Sequence, residues 1–126
     1  MSTFQTPIEI GDPAGQQFES LNALVDTGAT YTVVPASILE RLGVVVHRTS
    51  VFEFADGRQE EWRMGRTWIR LEDRQEMTLV VFGVEGVAPI LGAVTLEEFL
   101  LGVDPVKQKL IPVTGLMMSS PPRAVV

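Results

Sequence analysis

The carboxylate of Asp26 follows an apolar run and precedes a tight turn formed by Thr27 and Gly28. Burying a lone carboxylate among apolar residues is very costly, so an acid in this setting needs either a partner or a task. Residues 23–30 contain no lysine, arginine, histidine or second acid that could serve as the partner. Asp26 is therefore the first candidate for a catalytic residue.

The composition excludes several other kinds of chemistry. The 126 residues include no cysteine and one histidine, which removes disulfides, thiol catalysis and thiolate metal sites. His47 has no second imidazole beside it, so we interpret it as a strand or surface residue. We expect neither a metal nor another cofactor. The net charge of −6 argues against a nucleic-acid or anionic-membrane partner, because such surfaces are basic.

Length and apolar content predict one globular domain. We assign residues 1–113 to it and residues 114–126 to a flexible C-terminal tail, which contains two serines and two prolines in a row. No signal peptide is visible at the N-terminus. The most apolar stretch, residues 79–94, is interrupted by an acid, a proline and glycines, and is too broken for a membrane span. The default expectation is a soluble cytoplasmic protein.

The elements that must position Asp26 are mainly short strands. Alternating or continuous apolar runs bounded by turn residues predict strands at 7–10, 17–25, 31–34, 44–54, 60–71, 77–84 and 88–91, with a last hairpin at 103–105 and 109–113. Asp56-Gly57 indicates a hairpin turn, because both residues tolerate positive φ. The apolar phase changes on either side of Gly65, which predicts a bulge or bend there.

Two short helices are expected. Pro35 suits the first helical position and Gly43 the end, which predicts a helix over 36–42. Thr95 and Glu98 have the spacing of a capping box, with the helix ending at Gly102. In that interpretation Glu97 and Glu98 serve the helix N-terminus instead of catalysis.

An internal repeat bears on the missing partner of Asp26. Residues 25–30 and 89–94 are each an apolar strand leading into Gly-Ala and then a short helix. Superposing the two Gly-Ala pairs places Ile90 where Asp26 stands. The repeat thus carries one acid and not two.

Residues 24–29, Leu-Val-Asp-Thr-Gly-Ala, resemble the active-site motif of retropepsin-like aspartic proteases. The hairpin tipped by Asp56-Gly57 falls where that family has its flap. Ile90-Leu91-Gly92 before a helix resembles the family's second signature. Order and spacing match over residues 7–113. The resemblance implies an all-β closed barrel with one or two short helices and a flap hairpin, acting as a homodimer on peptide or protein substrates.

The resemblance also implies roles for individual residues. Asp26 of each chain would face the other across the two-fold axis, and the pair would share a proton and activate a water molecule. Thr27 would hydrogen-bond across that axis, and Gly28 would let the substrate backbone approach. Residues at the flap tip would cover the bound substrate: Ala55, Asp56 and Gly57. The candidates for the walls of the substrate pocket are Leu24, Val33, Ile90 and Tyr31. Ala29 cannot donate a side-chain hydrogen bond to the ionised dyad, which predicts activity at less acidic pH than in relatives with a hydroxyl residue there.

The chain departs from the viral pattern at three places. Thr30 and Ala93 occupy the positions of an acid and an arginine that pair in the viral enzymes, so we expect a different dimer contact. The flap tip has Asp-Gly instead of a run of glycines. The pattern over residues 103–113 looks more like single-domain prokaryotic members, in which we expect a C-terminal strand to build the dimer sheet.

Three functions are open at this point. The first is an aspartic endopeptidase, the second a non-catalytic dimeric binding or assembly module on the same fold, and the third a self-processing domain of a larger precursor. Trp62 and Trp68 are interpreted as packing residues of the long hairpin and not as ligand platforms.

Overall fold

The computed structural model describes residues 3–115, in which nine strands and two short helices follow one another along the chain. The elements are β1 (Phe4–Gly11), β2 (Phe18–Val25), β3 (Thr32–Pro35), α1 (Ala36–Arg41), β4 (Val46–Glu53), β5 (Gln59–Leu71), β6 (Arg74–Gly83), β7 (Ile90–Leu91), α2 (Ala93–Glu98), β8 (Leu101–Asp104) and β9 (Lys109–Pro112).

Seven strands form one sheet in the order β1-β2-β7-β3-β6-β5-β4. An additional antiparallel pairing of β1 with β5, through Glu9 with Arg70 and Ile10 with Ile69, joins the sheet to itself. The prediction of an all-β closed barrel with one or two short helices is confirmed, and two helices are present in residues 3–115. β4 pairs with β5 alone and extends outside the closed ring.

The apolar side chains divide into a main core and a smaller cluster. The main core lies inside the ring and includes Ile10, Val34, Ile69 and Phe99, each without measurable exposure. The smaller cluster consists of Met64, Leu79 and Val81, with Tyr31, Val33, Phe52 and Trp62 packed against it. This second cluster lies between the ring and the β4–β5 hairpin, so it couples the hairpin to the barrel.

The bulge expected near Gly65 is present, and the extra residue is on the opposite strand. Gly65 pairs with Val46 and Met64 pairs with Arg48, so His47 has no partner of its own in the register. A Cβ atom at Gly65 would lie 2.5 Å from the Val45 carbonyl oxygen. Glycine is needed here because the bulged strand approaches its backbone closely.

Helix α1 agrees with its prediction to within one residue. Pro35 is the N-cap instead of the first helical residue, and Gly43 follows the helix with a φ of +79°. The N-cap has no side-chain hydrogen bond of its own. Glu85, from the loop after β6, accepts hydrogen bonds from the Ser37 N–H at 2.9 Å and the Ser37 hydroxyl at 2.6 Å. A distant carboxylate therefore caps this helix.

The capping-box prediction for the second helix is wrong. α2 begins after Gly92 and not at Thr95, so Glu97 and Glu98 lie at its C-terminal end. The Thr95 hydroxyl is buried and bonds to other threonines, which is why it is not available as a cap. The helix also ends earlier than Gly102, which lies in β8.

Tertiary hydrogen bonds explain the early end of α2. Leu100 adopts a φ of +53°, a conformation that usually favours glycine. Its carbonyl accepts a hydrogen bond from the Val113 N–H at 2.9 Å, and the neighbouring Phe99 carbonyl accepts one from Arg74 Nη1 at 2.7 Å. These bonds hold the left-handed residue and direct the chain into β8.

The predicted last hairpin is present as a separate two-stranded sheet of β8 and β9. Asp104 Oδ1 accepts hydrogen bonds from the N–H groups of Val106 and Lys107 in its turn, both at 3.1 Å. Of the tail predicted over 114–126, residues 116–126 lie outside the described residues. Within residues 3–115, neither helix has the length and apolarity needed to span a membrane.

Candidate active site

Asp26 lies at the point where β2 ends and the chain turns. Its Oδ1 accepts a hydrogen bond from the Gly28 N–H at 2.9 Å, and its carbonyl accepts one from the Ala29 N–H at 3.1 Å. As a residue Asp26 is half-buried, and Thr27 and Gly28 are exposed. Asp26 is thus less buried than the apolar run before it suggests, because the chain turns away from the core at this residue. The Gly28 amide orients its side chain.

The second loop of the repeat supports this turn. β2 and β7 run parallel, with Leu24 beside Ile90 and Val25 beside Leu91. The Asp26 N–H donates to the Leu91 carbonyl at 3.1 Å. The loop that contains Ile90 therefore holds the backbone of the loop that contains Asp26.

Backbone hydrogen bonds join the two loops where the viral pattern has a charged side-chain pair. The Ala93 N–H donates to the Ala29 carbonyl at 2.8 Å, and the Val94 N–H donates to the Thr30 carbonyl at 2.9 Å. Both donors belong to the first turn of α2, whose N–H groups have no partner inside the helix. Although this chain lacks the charged pair of the viral pattern, its two loops are joined by backbone hydrogen bonds.

An apolar cavity of about 420 Å³ lies between the flap hairpin, which is formed by β4 and β5, and the segment from β6 to β7. Its lining includes the predicted wall residues Val33 and Ile90. It also includes Phe52, Phe54, Trp62, Val81, Val84 and Val87, with Arg58 and Glu60 as its charged members. Leu24, Ala55, Asp56 and Gly57 are outside this lining, and Tyr31 lines a smaller cavity with Thr30 and Phe52.

Sequence reasoning did not assign the flap aromatics to a binding surface. Trp62 packs against the smaller apolar cluster, as expected for a packing residue, but its side chain also lines the cavity. The signal was available in the period-two alternation, because Glu60, Trp62 and Met64 share one face of β5. Phe52 pairs with Glu60 from β4, and the ring of Phe54, just after β4, has its centroid 6.4 Å from that of Trp62.

The flap turn spans more residues than the two-residue turn expected from Asp56-Gly57. The Phe54 N–H donates to the Arg58 carbonyl, and the Gly57 N–H donates to the Phe54 carbonyl, both at 2.8 Å. Gly57 has a φ of +85°, whereas Asp56 does not have positive φ. Asp56 Oδ1 instead accepts a hydrogen bond from the Arg58 N–H at 3.0 Å, so the acid stabilises the turn through its side chain.

Arg58 is held at the cavity by two contacts. Its guanidinium carbon lies 4.6 Å from the centre of the Phe54 ring, and its Nη1 lies 3.4 Å from Glu60 Oε2. Both the cation and the acid are solvent-accessible, so the ion pair itself contributes little to stability. The pair places one charge of each sign beside an otherwise apolar surface.

Residues 3–115 contain no group of three or more histidine, cysteine, aspartate or glutamate residues arranged to hold a metal ion. A larger and more polar cavity of about 630 Å³ lies along β1 and the β5–β6 turn, and is lined by Glu9, Arg70 and Arg74 among others. It contains none of the predicted site residues. The apolar cavity beside the flap is therefore the better candidate for a binding site.

Comparison with known proteins gives two kinds of likeness. Residues 15–108 match the model of the family described as gag-polyprotein putative aspartyl protease. Among solved structures, the chain is similar to the protease of EIAV, equine infectious anaemia virus, complexed with the inhibitor HBY-793. That likeness has a TM-score of 0.55 and 23% identity, and covers 78% of this chain and 88% of the viral one.

A second solved structure with the same fold is the solution structure of the simian foamy virus (mac) protease. Its TM-score is 0.52 at 19% identity, covering 75% of this chain and 94% of the viral one. No curated protein matches the chain significantly.

The closed barrel, the flap hairpin and the Asp-Thr-Gly turn define a retropepsin-like aspartic protease domain. With three quarters of its length matched by the family model, the chain belongs to the gag-polyprotein aspartyl protease family.

Proposed function

We propose that the protein is an aspartic endopeptidase that acts as a homodimer, with Asp26 from each chain forming the catalytic dyad. The observation that carries this proposal is the orientation of Asp26 by the Gly28 amide at 2.9 Å, in a turn beside the repeat loop that lacks an acid. Because the second loop carries Ile90 in the equivalent place, a second carboxylate has to come from another molecule.

The mechanism follows from two carboxylates held close together. Such a pair cannot ionise fully, so it shares one proton and titrates as a coupled unit. The ionised member accepts a proton from a water molecule, which attacks the carbonyl carbon of the scissile peptide bond. The protonated member donates its proton to the carbonyl oxygen, which gives a tetrahedral intermediate. As the intermediate collapses, the carboxyl that took the water's proton gives it to the leaving nitrogen. One hydroxyl of the intermediate returns its proton to the other carboxylate, which restores the singly protonated pair. No metal or covalent intermediate is required.

The cavity beside the flap supports a peptide as the substrate. Its walls are apolar on the barrel side, at Val33 and Ile90, and aromatic on the flap side, at Phe54 and Trp62. A side chain of the substrate entering it would remove apolar surface from water at about 25 cal/mol per Å². Flap residues Ala55, Asp56 and Gly57 would cover the bound peptide and exclude water.

A cytoplasmic location of the protein remains a prediction.

The test is cleavage of a mixed peptide library across pH, by wild type and by Asp26→Asn, with and without a pepstatin-type inhibitor. The proposal predicts cleavage by wild type that the inhibitor blocks and that the variant lacks, while both proteins have the same oligomeric state. A well-folded dimer that cleaves nothing at any pH would favour the binding module. Cleavage confined to a longer precursor of this chain would favour self-processing.

A further inference from the structure

Three buried threonine hydroxyls connect the surface of α2 to the loop that supports Asp26. The Oγ1 atoms of Thr32 and Thr95 are 2.6 Å apart, and those of Thr95 and Thr78 are 3.0 Å apart. None of the three side chains has measurable exposure. At one end Thr78 donates to Glu98 Oε1 at 2.5 Å, and at the other the Gly92 N–H donates to Thr32 Oγ1 at 3.1 Å.

The direction of every hydrogen bond in this chain of hydroxyls follows from its two ends. An ionised carboxylate only accepts hydrogen bonds, so the single hydroxyl proton of Thr78 points to Glu98. Thr95 must then donate to Thr78, because Thr78 has no proton left. By the same step Thr32 donates to Thr95, and its oxygen lone pairs stay available for the Gly92 N–H. One exposed carboxylate thus sets the orientation of three buried hydroxyls.

The end of the chain at Gly92 is a place where small displacements matter. A Cβ atom on Gly92 would lie 2.5 Å from the Tyr31 carbonyl carbon, so the two backbones are already in close contact. Leu91, on one side of Gly92, accepts the hydrogen bond of Asp26, and Ala93, on the other side, donates to Ala29. A shift of Gly92 would therefore move the turn that carries the carboxylate.

We propose that Glu98 is a positioning residue for the Asp26 turn, acting through the ordered hydroxyls of Thr78, Thr95 and Thr32 on the Gly92 N–H. Hydrogen bonds in such chains polarise one another, so the negative end strengthens the whole series in a low-dielectric interior. The effect of Glu98 on catalysis rests on the proposed function, whereas the ordering of the hydroxyls does not.

The test compares four variants of the protein with a fifth that serves as a control. Glu98→Ala removes the acceptor, and Thr95→Val removes the central hydroxyl at similar volume. Glu98→Gln retains a side-chain acceptor but not the negative charge, so its effects should be smaller than those of Glu98→Ala. Thr95→Ser retains the hydroxyl and should behave as wild type. Glu97→Ala is the matched control, because Glu97 is the exposed neighbouring acid and its side chain makes no hydrogen bond or ion pair in the described structure.

The first readout is the amide resonance of Gly92 in a proton–nitrogen correlation spectrum. We expect it to move to lower proton frequency in Thr95→Val and Glu98→Ala, with hydrogen exchange faster by about fivefold relative to the amide of Ile69 in the barrel. An unchanged Gly92 resonance in Glu98→Ala, or an equal change in Glu97→Ala, would overturn the proposal. Because Glu98 is on the surface, its variants should fold, and they test the proposal even if Thr95→Val does not fold.

The second readout is peptide cleavage. Misplacement of a catalytic group lowers kcat more than binding, so we expect Glu98→Ala to lower kcat roughly tenfold with KM changed less than about twofold. Equal kcat values in Glu98→Ala and wild type would overturn the positioning role. If wild type cleaves no peptide, the proposed function fails, whereas the Gly92 resonance still decides whether Glu98 orders the hydroxyls.

Discussion

The Asp26 N–H donates a hydrogen bond to the Leu91 carbonyl at 3.1 Å, so the loop without an acid holds the loop with one. This relationship gives a structural meaning to the internal repeat. One copy presents the carboxylate, and the other supplies backbone acceptors and donors that fix its turn. Ile90, in the acid's place, contributes to the apolar cavity instead.

Gly92 is predicted to be intolerant of any side chain. A Cβ atom there would lie 2.5 and 2.6 Å from the carbonyl carbon and oxygen of Tyr31, which are backbone atoms that cannot rotate away. We expect Gly92→Ala to lower the free energy of unfolding by about 3 kcal/mol in urea denaturation. Gly115→Ala is the control, because a Cβ atom there meets only a Leu100 side-chain atom at 3.4 Å. Equal stability of the two variants would contradict the close approach.

The cap of α1 by Glu85 predicts a pH-dependent stability. Hydrogen bonds from the Ser37 hydroxyl and then the Ser37 N–H lower the pKa of Glu85 from its ordinary value of 4.5. A lowered pKa in the folded state contributes stability that is present above 4.5 and is lost as the pH falls through the lower folded value. We therefore expect Glu85→Ala to lower Tm at neutral pH, with the difference from wild type vanishing in acid.

Thermal unfolding of wild type and Glu85→Ala from neutral pH downward measures this effect. Glu61→Ala, which removes an exposed acid from β5, is the charge-matched control and should not show the same dependence. A Tm difference that is constant with pH would argue against the carboxylate cap.

Ala29→Ser is predicted to extend activity into more acidic solution. A hydroxyl at this position would donate a hydrogen bond to the ionised dyad and so favour the ionised form. The acid limb of the kcat/KM profile should move to lower pH by roughly one unit. Ala29→Thr and Ala29→Val, which are similar in size and differ by the hydroxyl, control for steric effects: only the Thr variant should show the same shift. An acid limb that stays in place in Ala29→Ser would refute this account of Ala29.

Ile90→Ala is predicted to change substrate preference in favour of larger side chains. Truncation enlarges the apolar cavity, which both Ile90 and Val33 line. For two peptides that differ by a few methylene groups at one position, we expect the ratio of their kcat/KM values to shift roughly tenfold toward the larger one. The ratio is independent of the fraction of protein that is folded. Val51→Ala, at an exposed residue outside this cavity, should leave it unchanged.

Local signals in the sequence were sufficient for most of the architecture. Apolar alternation and turn residues predicted the strands, and Pro35 with Gly43 predicted α1 to within one residue. The Asp-Thr-Gly turn and the later Ile90-Leu91-Gly92 segment identified the two copies of the internal repeat. These features depend on residues close in the chain, so a sequence pattern is enough to identify them.

The errors occurred where distant residues decide the local structure. Thr95 and Glu98 have capping-box spacing, but Thr32 and Thr78 occupy the Thr95 hydroxyl from other strands. Leu100 takes the left-handed conformation expected of a glycine because Val113 donates to its carbonyl. No pattern within the helix itself reports such contacts. Trp62 was missed as a cavity wall because the same face of β5 both packs against the smaller apolar cluster and lines the cavity.

The most direct test of the central claim is peptide cleavage by mixed dimers of wild type and Asp26→Asn at constant total protein, after subunit exchange. If each active site needs Asp26 from both chains, the cleavage rate falls as the square of the wild-type fraction, because only dimers with two wild-type chains are active. A rate that falls linearly with the wild-type fraction, or any cleavage by pure Asp26→Asn, would contradict a shared aspartate dyad.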